Sequence, residues 1–282
     1  MSRPRRFVQG QLVTVLMLLT VACGGSMRQQ VQSDTLLRDL PDSAFARLGQ
    51  ARIFFAHQSV GGNIVDGVRA VLKEDPRLAL NIVDLQGANA STGPFFAHAL
   101  LGTNGDPRSK TDAFAATLEG GLGDRVDVAF QKYCFVDIGD PTDVQQVFEY
   151  YREAIRRLHQ RFPRVTIVHV TAPIVAVQSG PKAIIKKLLG RMPDHYADNM
   201  RREQFNDLVR REYGGREPIF DLAAIESARP DGGRETIRFG GATSYAMLPD
   251  YTTDGGHLND EAKKRVATDL LAFLAHVLER TP

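Results

Sequence analysis

The chain has 282 residues, of which 43% are hydrophobic and 24% are charged. These proportions are typical of a globular protein with a sizeable core, and they exclude a disordered chain, a collagen and a disulfide-stapled miniprotein. The net charge of +2 lacks the basic excess that nucleic-acid-binding proteins usually carry, so no nucleic-acid partner is expected. Two cysteines, Cys23 and Cys134, are too few for a disulfide framework or a zinc ribbon.

Residues 1–22 are predicted to be an export signal. Three arginines precede an uncharged apolar run over residues 12–22, which is about half of the roughly 20 residues that a membrane-spanning helix needs. The sequence Leu-Thr-Val-Ala before Cys23 resembles the signal of bacterial lipoproteins, which implies cleavage before Cys23 and lipidation of that residue. A plain signal peptide with an incidental cysteine is the alternative. By the same resemblance, Gly24 lacks the aspartate that retains lipoproteins in the inner membrane, so the expected location is the periplasmic side of the outer membrane.

Residues 24–40 are polar and rich in glutamine and serine, which is typical of a flexible tether. We therefore expect three parts: the signal, a segment over 23–40 that holds the lipidated cysteine and the tether, and a single domain over 41–282. Cleavage before Cys23 removes three arginines and no acidic residue, which leaves 32 basic and 33 acidic residues. The mature chain is then almost neutral.

From residue 51 onward, short β-rich runs alternate with helical patterns. Strands are predicted over 52–57, 78–85, 126–135, 165–171 and 218–221, and helices over 62–73, 142–161, 196–213 and 259–280. This alternation predicts a parallel sheet of about five strands with helices on both faces, and the nearly continuous apolar strands agree with a sheet that is covered on both sides. Ligands bind such sheets beyond the carboxyl ends of the strands.

Ser59 follows the first predicted strand, in the sequence His57-Gln-Ser59-Val-Gly-Gly. A serine at a tight, glycine-rich junction between strand and helix has its hydroxyl at the helix N-terminus, where the helix dipole and free N–H groups favour a developing negative charge. Serine is also a preferred N-cap residue, so a purely structural role stays open here.

Asp254 and His257 lie just before the last predicted helix, in Asp254-Gly-Gly-His257-Leu-Asn259. This spacing lets the carboxylate contact one imidazole nitrogen and leaves the other nitrogen free to take a proton from a serine. A turn aspartate beside a histidine at a helix start is the alternative, because the spacing is common by chance.

Together, Ser59 and the Asp254–His257 pair resemble the SGNH (GDSL-like) hydrolase family over about residues 50–280. The resemblance implies a flavodoxin-like three-layer α/β sandwich and a hydrolase of ester bonds. It assigns Ser59 as the nucleophile, His257 as the general base and Asp254 as the partner of His257.

The oxyanion hole is where the chain departs from this family. A family glycine after the second strand is matched by Gly87, but counting along the third strand places Val136 where the family has an oxyanion-hole asparagine. Asn89 and Asn104 are the candidates to supply the missing donor, and Asn104 lies in a Gly-Thr-Asn sequence that precedes the third predicted strand.

No cofactor is expected. The seven histidines show no metal-binding spacing, and no phosphate-binding glycine motif follows the first strand. The predicted function is a serine esterase for a small-molecule or glycan ester, such as an O-acetyl group on a cell-envelope carbohydrate. A catalytically weak or inactive envelope lipoprotein that binds a glycan or a protein is the alternative. The oligomeric state is not indicated.

Two further features have open interpretations. Lys132 lies inside an apolar strand and needs a partner, for which Asp137 is a candidate. The basic stretch over residues 182–191 is an amphipathic patch, interpreted as either a solvated helix face or a surface that rests on an anionic membrane.

Overall fold

Six parallel strands form the centre of the described chain. The computed structural model describes residues 37–85 and 93–280. The strands are β1 (Arg52–His57), β2 (Ile82–Asp84), β3 (Phe95–Leu100), β4 (Val128–Gln131), β5 (Thr166–Val170) and β6 (Ile219–Phe220). They pair in the order β2-β3-β1-β4-β5-β6, and every pair is parallel. The predicted α/β sandwich with a parallel sheet is confirmed.

Eight α-helices accompany the sheet within the described residues. They are α1 (Asp42–Gln50), α2 (Val60–Glu74), α3 (Pro107–Thr117), α4 (Val144–Arg161), α5 (Gly180–Leu188), α6 (Tyr196–Tyr213), α7 (Leu222–Ser227) and α8 (Asp260–Arg280). A short antiparallel hairpin, β7 (Thr236–Phe239) and β8 (Ala242–Tyr245), lies between α7 and α8. Among the described residues, no helix has the length and apolarity that crossing a membrane requires.

The core is divided by the sheet into two layers. In β1, Ile53 and Phe55 face the layer that contains α1, α2 and α8, whereas Phe54 and Ala56 face the layer that contains α3, α4 and α6. Successive strand side chains point to opposite faces, so a strand covered on both sides must be apolar throughout. This is why residues 53–56 of β1 are all apolar instead of alternating between apolar and polar.

The layer of α2 and α8 depends on a glycine at the helix contact. A Cβ atom on Gly67 would lie 2.1 Å from the backbone oxygen of Lys263, so only glycine allows the two helix backbones to approach this closely. Because α2 begins beside Ser59 and α8 begins beside His257, this contact fixes the two ends of the chain that carry the predicted chemistry.

The folded body begins earlier than the predicted domain boundary. Leu37 and Leu40 are 4% and 7% exposed and belong to the core around α1 and α8. They fall within the stretch 24–40 that was expected to be a tether. The predicted export signal and Cys23 lie outside the described residues.

Several elements were not predicted from the sequence. β3 and α3 occupy residues 95–117, between the second and third predicted strands, and α1, α7 and the hairpin of β7 and β8 also lie outside the predicted strands and helices. In the sheet, β3 lies between β2 and β1.

Candidate active site

Ser59 occupies a strained turn between β1 and α2. Its backbone has φ 47° and ψ −113°, and it is one of two described non-glycine residues with a positive φ. Strained backbone of this kind is common at functional sites, where the surrounding structure holds the residue in place. The side chain of Ser59 makes no capping bond to α2, so the alternative N-cap role does not describe it.

The hydroxyl of Ser59 contacts His257, although 198 positions separate them in the chain. Ser59 Oγ lies 2.6 Å from Nε2 of His257, and Nδ1 of His257 lies 2.7 Å from Oδ2 of Asp254. An ionised carboxylate only accepts hydrogen bonds, so Nδ1 carries the imidazole proton and the free Nε2 accepts from the serine hydroxyl. The structure therefore brings together the three residues predicted from the sequence, in the order that activates a serine.

Asp254 is held in its ionised form by several donors. Its Oδ1 accepts hydrogen bonds from the backbone N–H groups of His257 at 2.8 Å and Gly256 at 2.9 Å. These bonds, with the contact to the His257 ring, place the pKa of Asp254 well below its usual value. The carboxylate thus keeps its charge and its orientation. The segment Asp254-Gly-Gly-His257 forms a turn in which two backbone N–H groups bond to the side chain of Asp254.

Neighbouring residues fix the position of the His257 ring. Phe135 meets the ring edge to face with 5.6 Å between centroids, and a Cβ on Gly256 would lie 2.9 Å from Phe135. Asn63 in α2 accepts a hydrogen bond from the backbone of Leu258 at 3.2 Å, which ties the histidine loop to the helix that follows Ser59. These supporting roles of Phe135 and Asn63 were not predicted from the sequence. Only the position of Gly256 directly before His257 could have indicated close packing around the histidine.

A buried ion pair joins α3 to the turn that follows β4. Lys110 Nζ lies 2.6 Å from Asp137 Oδ2, and both side chains are almost fully buried. Lys110 also donates to Asn104 Oδ1 at 2.9 Å, and Asp137 accepts from the backbone of Gly105 and Cys134. The network holds the stretch around Asn104 against the end of β4.

The partner predicted for Lys132 was therefore wrong. Asp137 is bound to Lys110, which lies on helix α3. Because α3 was not predicted, no sequence pattern indicated that Lys110 would compete for Asp137. Lys132 is instead buried with its ammonium near the backbone oxygen of Tyr133, at 3.1 Å, and Cys134 Sγ, at 3.5 Å. Burial lowers the pKa of Lys132, and burial also raises the pKa of Glu226, which interacts electrostatically with Lys132, to about 8.

Gly102 lies closer to the Ser59 turn than the sequence suggested. It follows β3, the strand that pairs with β1, and its carbonyl accepts a hydrogen bond of 3.0 Å from the side chain of Gln58. It has φ 71°, and a Cβ there would lie 2.6 Å from Lys110, so glycine is required on both counts. Asn104 is thus brought to this edge of the sheet by the unpredicted strand β3.

The remaining predicted site positions have different outcomes. Gly87 and Asn89 lie outside the described residues. Val136, which the family resemblance placed at the expected asparagine position, lies in a short turn after β4. Its side chain is apolar and 50% exposed, so it offers no hydrogen-bond donor.

His57 lies beneath the Ser59 turn. It is 3% exposed, and its Nε2 lies 3.2 Å from Nδ1 of His98. Burial lowers the pKa of His57 to about 3, so the ring is neutral at ordinary pH. A Cβ on Gly61 would lie 2.3 Å from the side chain of His57, so the glycine after Ser59 makes room for this imidazole.

The described part of the chain contains no group of three His, Cys, Asp or Glu side chains that could hold a metal ion. The chemistry that the arrangement can perform is proton transfer and nucleophilic attack by Ser59. His257 is 44% exposed and Asp254 is 54% exposed at the side chain, so the site opens to solvent.

The sequence matches no protein-family profile and no curated protein, whereas the structure resembles solved ones. A structure described as a peptidoglycan O-acetylesterase covers 86% of this chain and 95% of its own, with 9% identity and a TM-score of 0.52. A Clostridium thermocellum family 3 carbohydrate esterase has 12% identity and a TM-score of 0.44, and covers 81% of this chain and 97% of its own. A lipase/acylhydrolase from Enterococcus faecalis has 11% identity and a TM-score of 0.42, with coverages of 80% and 96%. The likeness to the O-acetylesterase shows a shared fold, an α/β sandwich like that of SGNH hydrolases.

Proposed function

We propose that this protein is a serine esterase that works through an acyl-serine intermediate. The observation that carries the proposal is the continuous contact from Ser59 Oγ through the imidazole of His257 to the carboxylate of Asp254, with distances of 2.6 Å and 2.7 Å. Neither contact alone indicates a nucleophile. The two contacts together indicate one, because they occur at a strained turn beside the carboxyl ends of parallel strands.

The reaction proceeds in two steps. Ser59 Oγ attacks the ester carbonyl while its proton passes to Nε2 of His257, and the tetrahedral intermediate collapses as His257 returns this proton to the departing alcohol. Water then loses a proton to His257 and attacks the acyl carbon, and the second collapse releases the acid and restores the Ser59 hydroxyl. Asp254 stabilises the imidazolium that forms in each step.

We infer that the oxyanion is held by groups of the Ser59 turn and the Gly102 loop. The backbone N–H groups of Ser59 and Gly102 have no hydrogen-bond partner among the described residues. Asn104 lies at the same edge of the sheet, and its side-chain oxygen accepts a hydrogen bond from Lys110. Its amide nitrogen is therefore a further candidate donor to the oxyanion. Gly87 and Asn89 stay predictions from the family resemblance.

The substrate class we favour is an acyl ester on a carbohydrate of the cell envelope. It rests on the predicted export signal and on the open, solvent-facing site, which suits a group displayed on a polymer. One solved structure with this fold is described as a peptidoglycan O-acetylesterase. The expected substrate is thus an ester of a glycan or of a small molecule.

We propose that the mature protein is attached to the envelope through a lipid on Cys23, facing the periplasm from the outer membrane. The support is the lipoprotein-like sequence before Cys23. In cell fractionation, Cys23→Ser should move the protein from the membrane fraction to the soluble fraction. A variant that stays with the membrane as the wild type does would contradict the lipid anchor.

A second candidate is a weakly active or inactive envelope protein that binds a glycan or a protein. The observation that favours it is Val136, an exposed apolar side chain where the related enzymes have a donor. Removing one oxyanion donor typically costs about 10²–10³ in rate.

A fluorophosphonate probe separates the two candidates because it bonds covalently only to an activated serine. The wild type should be labelled and should hydrolyse a chromogenic acetate ester, and Ser59→Ala should lose both properties. Ser43→Ala, at an exposed position of α1, is the matched control and should keep them. An unlabelled wild type, or equal labelling of the Ser59→Ala variant, would refute the esterase and leave the binding protein.

A further inference from the structure

The helix α5 presents its apolar side chains to solvent. Ile184 is 59% exposed, Ile185 56%, Leu188 82% and Leu189 67%. These four residues are the apolar patch of α5, and they account for most of the large hydrophobic side chains that the described residues expose. Soluble proteins rarely expose apolar side chains contiguously, and such patches mark surfaces of interaction.

Two lysines of α5, Lys186 and Lys187, contact the body of the protein. Ala183 is buried, Lys186 pairs with Asp194 at 2.7 Å, and Lys187 lies 4.9 Å from the centre of the Tyr196 ring. These contacts hold the helix with its apolar residues outward. A solvated helix face, one interpretation of the sequence, would have the opposite arrangement.

The surroundings of the patch are positively charged. Between residues 179 and 194 there are four cations, Lys182, Lys186, Lys187 and Arg191, and one acidic residue, Asp194. Lys182 and Arg191 have no ion-pair partner within the described residues. Apolar side chains flanked by free cations fit the headgroup region of an anionic bilayer. They fit a second copy of the chain poorly, because two such patches repel each other.

The patch lies at the same edge of the sheet as Ser59 and His257. The chain that leads into α5 contacts the catalytic loop directly, because the N–H of Ala176 donates to the carbonyl of Gly255 at 2.8 Å. Gly255 is the residue after Asp254. A surface that covers α5 would therefore border the opening of the site.

We propose that α5 is an interfacial helix that rests on an anionic membrane surface, with Ile184, Ile185, Leu188 and Leu189 among the lipid headgroups. Lys182 and Arg191 then contact the lipid phosphates. The proposal does not depend on Ser59 being a nucleophile, and its test can be made in the Ser59→Ala background.

The test uses the absence of tryptophan from this sequence. In the full chain, Leu188→Trp introduces one tryptophan, and its emission should shift to the blue on vesicles of phosphatidylcholine with phosphatidylglycerol and be quenched by brominated lipid. Gln160→Trp is the matched control. It is exposed in the last turn of α4, at the opposite edge of the sheet, and its emission should stay unchanged.

A separate experiment tests the contribution of the cations to membrane binding. Adding Lys182→Glu and Arg191→Glu to Leu188→Trp should abolish the shift on anionic vesicles. An equal shift on vesicles of phosphatidylcholine alone would overturn the role of the cations.

Three other results would overturn the membrane proposal. The first is vesicle binding without a shift at position 188, which would place the attachment elsewhere in the chain. The second is a blue-shifted emission of the Leu188→Trp variant without vesicles that weakens on dilution, which would indicate that a second copy of the chain covers the patch. The third is a shift without vesicles that persists on dilution, which would indicate a segment of the same chain.

Discussion

At the scale of single residues, the site combines a serine on strained backbone with a carboxylate held by backbone donors. Ser59 keeps a positive φ because β1 and α2 fix both of its neighbours, and the hydroxyl then points at His257 instead of capping the helix. Asp254 needs no buried environment to stay charged, since two backbone N–H groups bond to one of its oxygens and leave the other for the imidazole.

Asp254→Asn tests the role of this carboxylate. An asparagine amide would donate to His257 and hold the imidazole in the wrong tautomer, so we expect kcat for ester hydrolysis to fall by about 10³–10⁴. Asp250→Asn, an exposed aspartate in the preceding turn, should keep wild-type kcat. A kcat of Asp254→Asn within tenfold of the wild type would remove the carboxylate from the mechanism. Because Asp254 is 54% exposed, the thermal stability of the variant should change little.

Much of the residue-level site was predictable because its signals are local in sequence. Asp254 and His257 lie within one turn, and Ser59 follows an unmistakable apolar strand. The partner of Lys132 was not predictable. The choice between Lys110 and Lys132 for Asp137 depends on how α3 packs, which no spacing in the sequence encodes.

At the scale of elements, β3 decides which loops surround Ser59. Its sequence Phe-Phe-Ala-His-Ala-Leu carries alanine and histidine in an otherwise apolar run, and so lacks the β-branched residues that mark a strand. Missing it made Asn104 look out of order, whereas β3 pairs with β1 and delivers Gly102 to the Ser59 turn. Because this strand was missed, the sequence pattern did not explain how Gly102 and Asn104 come to the edge of the sheet that carries Ser59.

The packing of α2 against α8 gives a prediction at this scale. In Gly67→Ala the new methyl group would meet the backbone of Lys263, so we expect the free energy of unfolding to fall by about 1–3 kcal/mol in urea titrations. Gly62→Ala in the same helix has open space, and we expect it to gain about 0.4–1 kcal/mol from reduced unfolded-state entropy. Equal stabilities for the two variants would show that the helices do not approach as closely as the structure has them.

At the scale of the whole molecule, buried ionisable groups give the protein an unusual dependence on pH. Glu226 is fully buried, with one oxygen bonded to the backbone of Ile174 and the other without a hydrogen-bond partner among the described residues. With a pKa near 8 it is neutral in the folded protein at pH 7, whereas the unfolded chain ionises it at its ordinary pKa of about 4.5. The folded form therefore loses stability as pH rises from about 4.5 to about 8.

Glu226→Gln removes this titration and keeps the shape of the side chain. Between about pH 5 and about pH 7, the wild type should lose about 2 kcal/mol of unfolding free energy relative to the variant. The measurement is urea unfolding of both proteins across this range. Glu279→Gln, an exposed position in α8, should follow the wild type. If the Glu226→Gln and wild-type curves run parallel, the carboxyl is charged in the folded state.

The separation of Ser59 from His257 in the chain has a consequence for the time before folding is complete. During synthesis the serine leaves the ribosome 198 residues ahead of the histidine that activates it. A nascent chain, or one truncated before His257, contains Ser59 without its imidazole partner. The proposed esterase is therefore inactive until the segment that carries His257 has been made and lies beside Ser59, and incomplete copies do not cleave the esters around them.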